Sequence, residues 1–222
     1  MLPLLQTAKK AKLWRYRMND IRWIFFDLGS TLIDETEADL RRIREMTKGT
    51  NVTMEAYCEK RLEMIHLGYP GDQAAIEFFG LRKTPWHSED EVPYPDSAAT
   101  LSELNRRGFK LGIIANQNPG TEQRLVNWNL RQFFDVIAAS AELDVSKPDP
   151  AIFQWALTEA DCPAEKAVMV GDRLDNDIAP ANRIGMHSVR VLRGLGACHE
   201  PQSADELPVH TILTPADLLR LL

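Results

Sequence analysis

The sequence predicts an α/β fold, a doubly wound and mainly parallel sheet with a small all-helical insertion. Three observations lead to it. Short β-rich segments alternate with helical patterns along most of the chain, as they do when each strand is followed by a crossover helix. These segments are apolar throughout rather than alternating, which suits strands covered on both faces. One stretch, residues 36–92, interrupts the alternation with helical patterns alone.

Each element has its own warrant. Residues 22–28 (RWIFFDL) read as the first strand. The later strands are 110–115 (KLGIIA), 134–138, 166–171 (KAVMVG), 187–192 (HSVRVL) and 210–214 (HTILT). Helix 97–107 carries Ala98, Leu101 and Leu104 on one face and stops at Gly108, a natural C′ residue. Helix 150–160 presents Ile152, Phe153, Ala156 and Leu157. A last helix, 215–222, has Thr214 as N-cap and Pro215 at its first position. Trp23, Trp155, Phe25 and Phe26 read as core. In the insertion, 36–46, 53–66 and 72–79 are helical, with a turn at Gly68-Tyr69-Pro70-Gly71 and a return linker over 84–95. The expected organisation is an N-terminal extension (1–17), an α/β core (18–35 with 93–222) and a helical cap domain (36–92). The extension carries Lys9, Lys10, Lys12, Arg15 and Arg17 without an acid. Its apolar residues precede its charges, the reverse of a secretory signal. It reads as frayed, or as an upstream start with Met18 as the natural beginning.

Composition narrows the function. The chain has 222 residues, 44% hydrophobic and 26% charged, with a formal net charge of -6. That balance speaks against nucleic acid as a partner, since phosphate backbones select basic faces. No apolar run approaches the roughly 20 residues of a membrane span. Three cysteines, Cys58, Cys162 and Cys198, form no CxxC pair, so a reducing cytoplasm is expected.

Three segments carry chemistry. In Phe25-Phe26-Asp27-Leu28-Gly29-Ser30-Thr31, a carboxylate ends an apolar strand and a Gly-Ser-Thr turn follows. That strand edge is where ligands bind in open α/β sheets, and the turn offers backbone N–H groups to an anion. In Val168-Met169-Val170-Gly171-Asp172, a second apolar strand ends the same way, with Asp175 and Asp177 close behind. Clustered carboxylates at one edge need a cation, and hard oxygen donors suit Mg²⁺. In Ser146-Lys147-Pro148, the proline biases Lys147 towards an extended conformation, from which its ammonium can neutralise a phosphate. Each segment alone is also what a capped strand end or a surface lysine looks like.

In order and spacing, however, the three together resemble the haloacid dehalogenase (HAD) superfamily, from about residue 21 to the end. Asp27 matches that family's nucleophile, Lys147 its third-motif lysine, and Asp172 with Asp177 its fourth-motif acidic pair. The inserted helices match the cap placed between the first and second motifs. The resemblance implies a HAD-like Rossmannoid core and a phosphohydrolase acting on a small phosphorylated metabolite through an aspartyl phosphate. It implies Mg²⁺ held by Asp27, the Gly29 backbone carbonyl, Asp172 and Asp177, and substrate held by Ser30, Asn116, Gln117 and Lys147. Two positions depart from the pattern. Gly29 stands where the family has its acid/base aspartate, and Ala115 stands where the second motif has Ser or Thr. The departures predict slow turnover, or a catalytically weak HAD-fold binding or regulatory protein. The alternative is an acid borrowed from the cap, with His66, Tyr69 and His87 the candidate donors.

Overall fold

The computed structural model describes residues 20–222, so the expected N-terminal extension lies outside the described residues. The chain starts with β1 (Trp23–Phe26) and a two-residue strand β2 (Ile33–Asp34). Helices α1 (Thr36–Thr47), α2 (Met54–His66) and α3 (Gly71–Phe79) follow, then a second two-residue strand, β3 (Val92–Pro93). Next come α4 (Ser97–Arg106), β4 (Lys110–Ala115), α5 (Thr121–Asn127), β5 (Val136–Ala139) and α6 (Ser140–Leu143). The chain ends with α7 (Pro150–Glu159), β6 (Ala167–Gly171), α8 (Ala179–Arg183), β7 (His187–Val191), β8 (His210–Ile212) and α9 (Leu218–Leu221).

Six strands form one sheet in the order β5-β4-β1-β6-β7-β8, and every pairing in it is parallel. The burial explains the apolar strands. Ile24 and Phe26 of β1 face one layer with Leu101 and Leu104 of α4. Trp23 and Phe25 face the other with Ile152, Phe153 and Ala156 of α7. All four β1 side chains are therefore buried, two to each face, and no polar side of the strand remains. From β1 the chain steps outward through β4 and β5, then crosses back to β6 and continues through β7 and β8. The reversal falls between β1 and β6, and a crevice opens there beyond the C-terminal ends of the strands.

The helices α1, α2 and α3 pack on each other around Ile43, Met46, Tyr57 and Ala75, apart from the two layers of the sheet. The chain leaves and re-enters the sheet domain at one place. β2 and β3 pair antiparallel there, Ile33 opposite Pro93 and Asp34 opposite Val92. Arg193, from the loop after β7, braces this crossing by donating to Thr31 O at 2.9 Å and to the Asp96 carboxylate at 2.7 and 2.8 Å.

Several elements differ from expectation for identifiable reasons. The strand expected at 134–138 begins at Val136, where the ladder with Gly112 starts; Phe134 follows a 3₁₀ turn. The helix expected at 215–222 opens as a 3₁₀ turn before α9, with Thr214 and Asp217 forming a capping box. Trp155 is 37% exposed on the outer side of α7 rather than core. Helix α5 is mostly polar and buries only Thr121 and Leu125, so no apolar stripe announces it. No helix among the described residues is long and apolar enough to cross a membrane.

Candidate active site

The residues that end β1 and β6 are brought together by the register. Phe26 pairs with Val170, and the next residue, Asp27, donates its N–H to Val170 O at 2.9 Å. Asp27 and Asp172 thus leave adjacent strands at the same level. With Asp177 they form a group whose carboxylate oxygens lie within 4.8 Å of one another. Lys147 reaches in from the loop before α7. Its Nζ donates to Asp27 Oδ1 at 2.6 Å and to Asp177 Oδ1 at 2.5 Å. Lys147 is 5% exposed, Asp172 4% and Asp177 1%.

Asp177 sits in a π-helical turn, Leu174–Ile178, ahead of α8 rather than at the start of that helix. The turn swings its carboxylate back so that Oδ2 accepts the Arg173 N–H at 3.0 Å. Gly171 makes this possible, because a Cβ there would come within 2.3–2.7 Å of the Asp177 side chain. Both Asp177 oxygens are engaged, one by Lys147 and one by Arg173, so this side chain orients the lysine. Asp172 forms no side-chain hydrogen bond among the described residues.

The electrostatics follow from three acids sharing one buried ammonium. Burial, with Asp177 and Asp27 nearby, raises the Asp172 carboxyl well above the usual range. Burial raises Asp177 to about 6, with Lys147 opposing the rise and Asp27 adding to it. Burial works against the Lys147 charge, but Asp177 and Asp27 outweigh it and hold the ammonium above its ordinary value. A further cation would relieve this imbalance. The donors are carboxylate oxygens without thiol or imidazole, and Asp172, 4% exposed as a residue, has no side-chain hydrogen bond among the described residues. That set fits Mg²⁺, with its preference for one or two carboxylates and substrate oxygens.

The substrate-binding residues expected from the sequence fall in two groups. Ser30 lines the cavity at the strand ends, as do Lys147, Asn116 and Gln117. Asn116, however, is committed to positioning. Its Oδ1 accepts the Lys147 N–H at 2.7 Å and its Nδ2 donates to Lys147 O at 2.9 Å. Gln117 Oε1 accepts from Arg124 at 2.9 Å. Asn116→Ala is expected to lower stability by about 1–2 kcal/mol through the two lost bonds. It should also lower kcat roughly tenfold by loosening Lys147, with KM little moved. Thermal melts and steady-state kinetics check both.

The cavity has a volume of about 740 Å³ and lies between the strand ends and the inserted helices. Arg42 and Arg61 reach it from α1 and α2. Both are ion-paired there, Arg61 with Asp39 at 2.8 Å and Arg42 with Asp72 at 2.7 Å. None of His66, Tyr69 and His87, the donors expected from the cap, lines it. His66 and Tyr69 are exposed, and His87 is held by Glu45 at 2.9 Å and Glu89 at 3.2 Å.

Glu35 lines the cavity instead, and the motif pattern does not point to it. It occupies the N-cap position of α1 but makes no side-chain cap. Asp34 does that work, accepting from Thr36 N at 2.9 Å and Thr36 Oγ1 at 2.6 Å. The Glu35 carboxyl is left to turn inward against Gly29, where a Cβ would meet its carboxyl atoms at 2.3–2.5 Å. Burial, then the charges of Asp27 and Glu91, push it up to about 8. The sequence signal is faint: a missing carboxylate at 29 and a spare one six residues on.

A family model for haloacid dehalogenase-like hydrolases matches residues 24–191. The chain belongs to this family. Its HAD relatives include a glyceraldehyde 3-phosphate phosphatase of Methanopyrus kandleri, 41% identical over 57% of this chain and 55% of the relative. Another, from Pyrococcus abyssi, is 32% identical over 76% of this chain and 80% of the relative. A phosphoglycolate phosphatase of Aquifex aeolicus is 27% identical over 91% and 97%. With the first of these relatives the match spans about half their length. The fold is shared with a HAD phosphatase from Thermococcus onnurineus (TM-score 0.63, 22% identity, 90% of this chain and 97% of that one). It is also shared with CbbY from Rhodobacter sphaeroides (TM-score 0.63, 23% identity, 89% and 96%).

Proposed function

We propose that this HAD chain is a Mg²⁺-dependent phosphohydrolase that acts on a small phosphorylated metabolite through an aspartyl phosphate on Asp27. The observation that carries the reading is the buried set of Asp27, Lys147, Asp172 and Asp177 at the topological switch point, open to a cavity of metabolite size. The named activities of the relatives, on glyceraldehyde 3-phosphate and phosphoglycolate, support the substrate class.

Lys147 holds Asp27 Oδ1, and the other oxygen has no hydrogen-bond partner among the described residues. That oxygen attacks phosphorus as the bond to the leaving oxygen breaks, and water then cleaves the acyl phosphate and restores the carboxylate. Lys147 supplies a fixed positive charge beside the phosphoryl oxygens. Asp27, Asp172 and the Gly29 carbonyl would hold Mg²⁺, with Asp177 fixing the lysine beside them. The bound ion supplies neutralisation of the phosphoryl charge. Ala115 is fully buried at the end of β4 and offers no hydroxyl, so one donor of the family pattern is missing from the phosphate site.

Turnover of p-nitrophenyl phosphate, glyceraldehyde 3-phosphate and phosphoglycolate, with Mg²⁺ and with EDTA, tests the reading. Mg²⁺-dependent release of phosphate is expected. Saturable binding of Mg²⁺ and phosphate without turnover would instead make the chain a binding protein.

A further inference from the structure

We propose that Glu35 is the general acid and base of this site, reaching the reacting phosphoryl group through the space that a side chain at position 29 would otherwise fill. The inference rests on the phosphohydrolase reading above.

Four observations carry it. A Cβ built on Gly29 would lie 2.3 Å from Glu35 Oε1 and 2.5 Å from both Cδ and Oε2. The whole carboxyl group therefore sits where a residue-29 side chain would begin. Second, Glu35 lines the same cavity as Asp27 and Lys147. Third, its capping duty has been passed to Asp34, so the carboxyl is not needed by the helix it precedes. Fourth, its only side-chain hydrogen bond among the described residues comes from Ser30 Oγ, at 3.4 Å. A partly buried acid kept only for stability would be matched with a cation or several donors, and this one is not. Glycine at 29 thus removes one acid and admits another. A carboxyl group is retained beside the nucleophile, but it is delivered from the hinge between sheet and cap.

The chemistry balances in two steps. As the Asp27 oxygen–phosphorus bond forms and the phosphorus–leaving oxygen bond breaks, protonated Glu35 gives its proton to the leaving oxygen, which departs as an alcohol. The resulting Glu35 carboxylate then takes a proton from the water that attacks phosphorus. The bond from Asp27 to phosphorus breaks, phosphate leaves, and Glu35 is protonated again.

Leaving groups separate this role from a structural one. Kcat/KM reports the chain of events up to departure of the alcohol, where an alkoxide needs the proton and nitrophenolate does not. Wild type, Glu35→Ala, Gly29→Asp and the double variant are compared on phosphoglycolate and p-nitrophenyl phosphate at saturating Mg²⁺. Glu35→Ala should lose roughly 10²-fold or more on phosphoglycolate, and its loss on the nitrophenyl ester should be at least about tenfold smaller. Gly29→Asp alone should also lose activity, because two carboxyl groups then compete for one space. In the Glu35→Ala background the same change should recover at least about tenfold on phosphoglycolate. Equal losses on the two esters, or no loss on phosphoglycolate, would overturn the role of Glu35 while leaving the phosphohydrolase reading intact. Absence of Mg²⁺-dependent turnover by the wild type on either ester would overturn both. The leaving-group comparison needs only the single Glu35 variant, so it stands even where the double variant does not fold.

Discussion

Asp27→Asn is expected to reduce Mg²⁺-dependent turnover by at least about 10⁴-fold on every phosphate ester and on acetyl phosphate, because it deletes the carboxylate that the proposed aspartyl-phosphate route requires as nucleophile. The substitution keeps shape and removes charge. In the folded protein Asp27, Asp172 and Asp177 share one ammonium, Lys147. Taking away one of three carboxylates eases their mutual repulsion, so the metal-free variant should melt no lower than the wild type. Loss of activity with retained stability separates a chemical role for Asp27 from a structural one. The variant should still bind inorganic phosphate, since Lys147 keeps its partner Asp177 at 2.5 Å and its backbone clamp to Asn116. Activity within about tenfold of wild type, measured with acetyl phosphate to remove any need for acid help, would sink the aspartyl-phosphate route.

What made the fold readable in advance was burial on two faces. After their opening lysines, residues 110–115 and 166–171 are apolar because helices cover both sides of the sheet, and their ladders run almost as the pattern suggests. The meeting of Asp27, Lys147 and Asp172 was legible for the same reason, because each acid ends such a strand. Weaker signals failed where packing supplied no period. Helix α5 buries two side chains, and α8 carries Pro180 near its start, so neither displays a helical stripe. At the site, Glu35 escaped because its role depends on a close approach across a turn of six residues. Ser30, at φ 54°, lies in that turn. Nothing in the local sequence says that Asp34, rather than Glu35, caps α1. Asn116 was visible as a residue after the second strand, but its two bonds to the Lys147 backbone belong to tertiary structure alone.

Lys147→Met is expected to be the most destabilising single change at the site, and its size should depend on Mg²⁺. Lys147 is 5% exposed, and its ammonium forms both salt bridges of the cluster, at 2.6 and 2.5 Å. Methionine fills a similar volume but leaves Asp27, Asp172 and Asp177 with no nearby ammonium. Breaking a buried pair by removing one partner typically costs about 3–5 kcal/mol, because the surviving charges stay desolvated. For a chain of this length that corresponds to a fall in Tm of roughly 6–20 °C in EDTA. The acids can recover part of the loss by taking up protons, so the gap from wild type should narrow as the pH is lowered towards 5. Burial already holds Asp177 at about 6 and raises Asp172, so both accept protons readily in that range. Saturating Mg²⁺ offers them a second route to neutrality, and the gap should shrink by half or more at pH 8 when it is added. Differential scanning calorimetry of both proteins in EDTA and in Mg²⁺ measures all of this. A gap that is the same with and without the ion would mean that the carboxylates around Lys147 do not hold a cation, and that Lys147 is a packing residue whose charge is incidental.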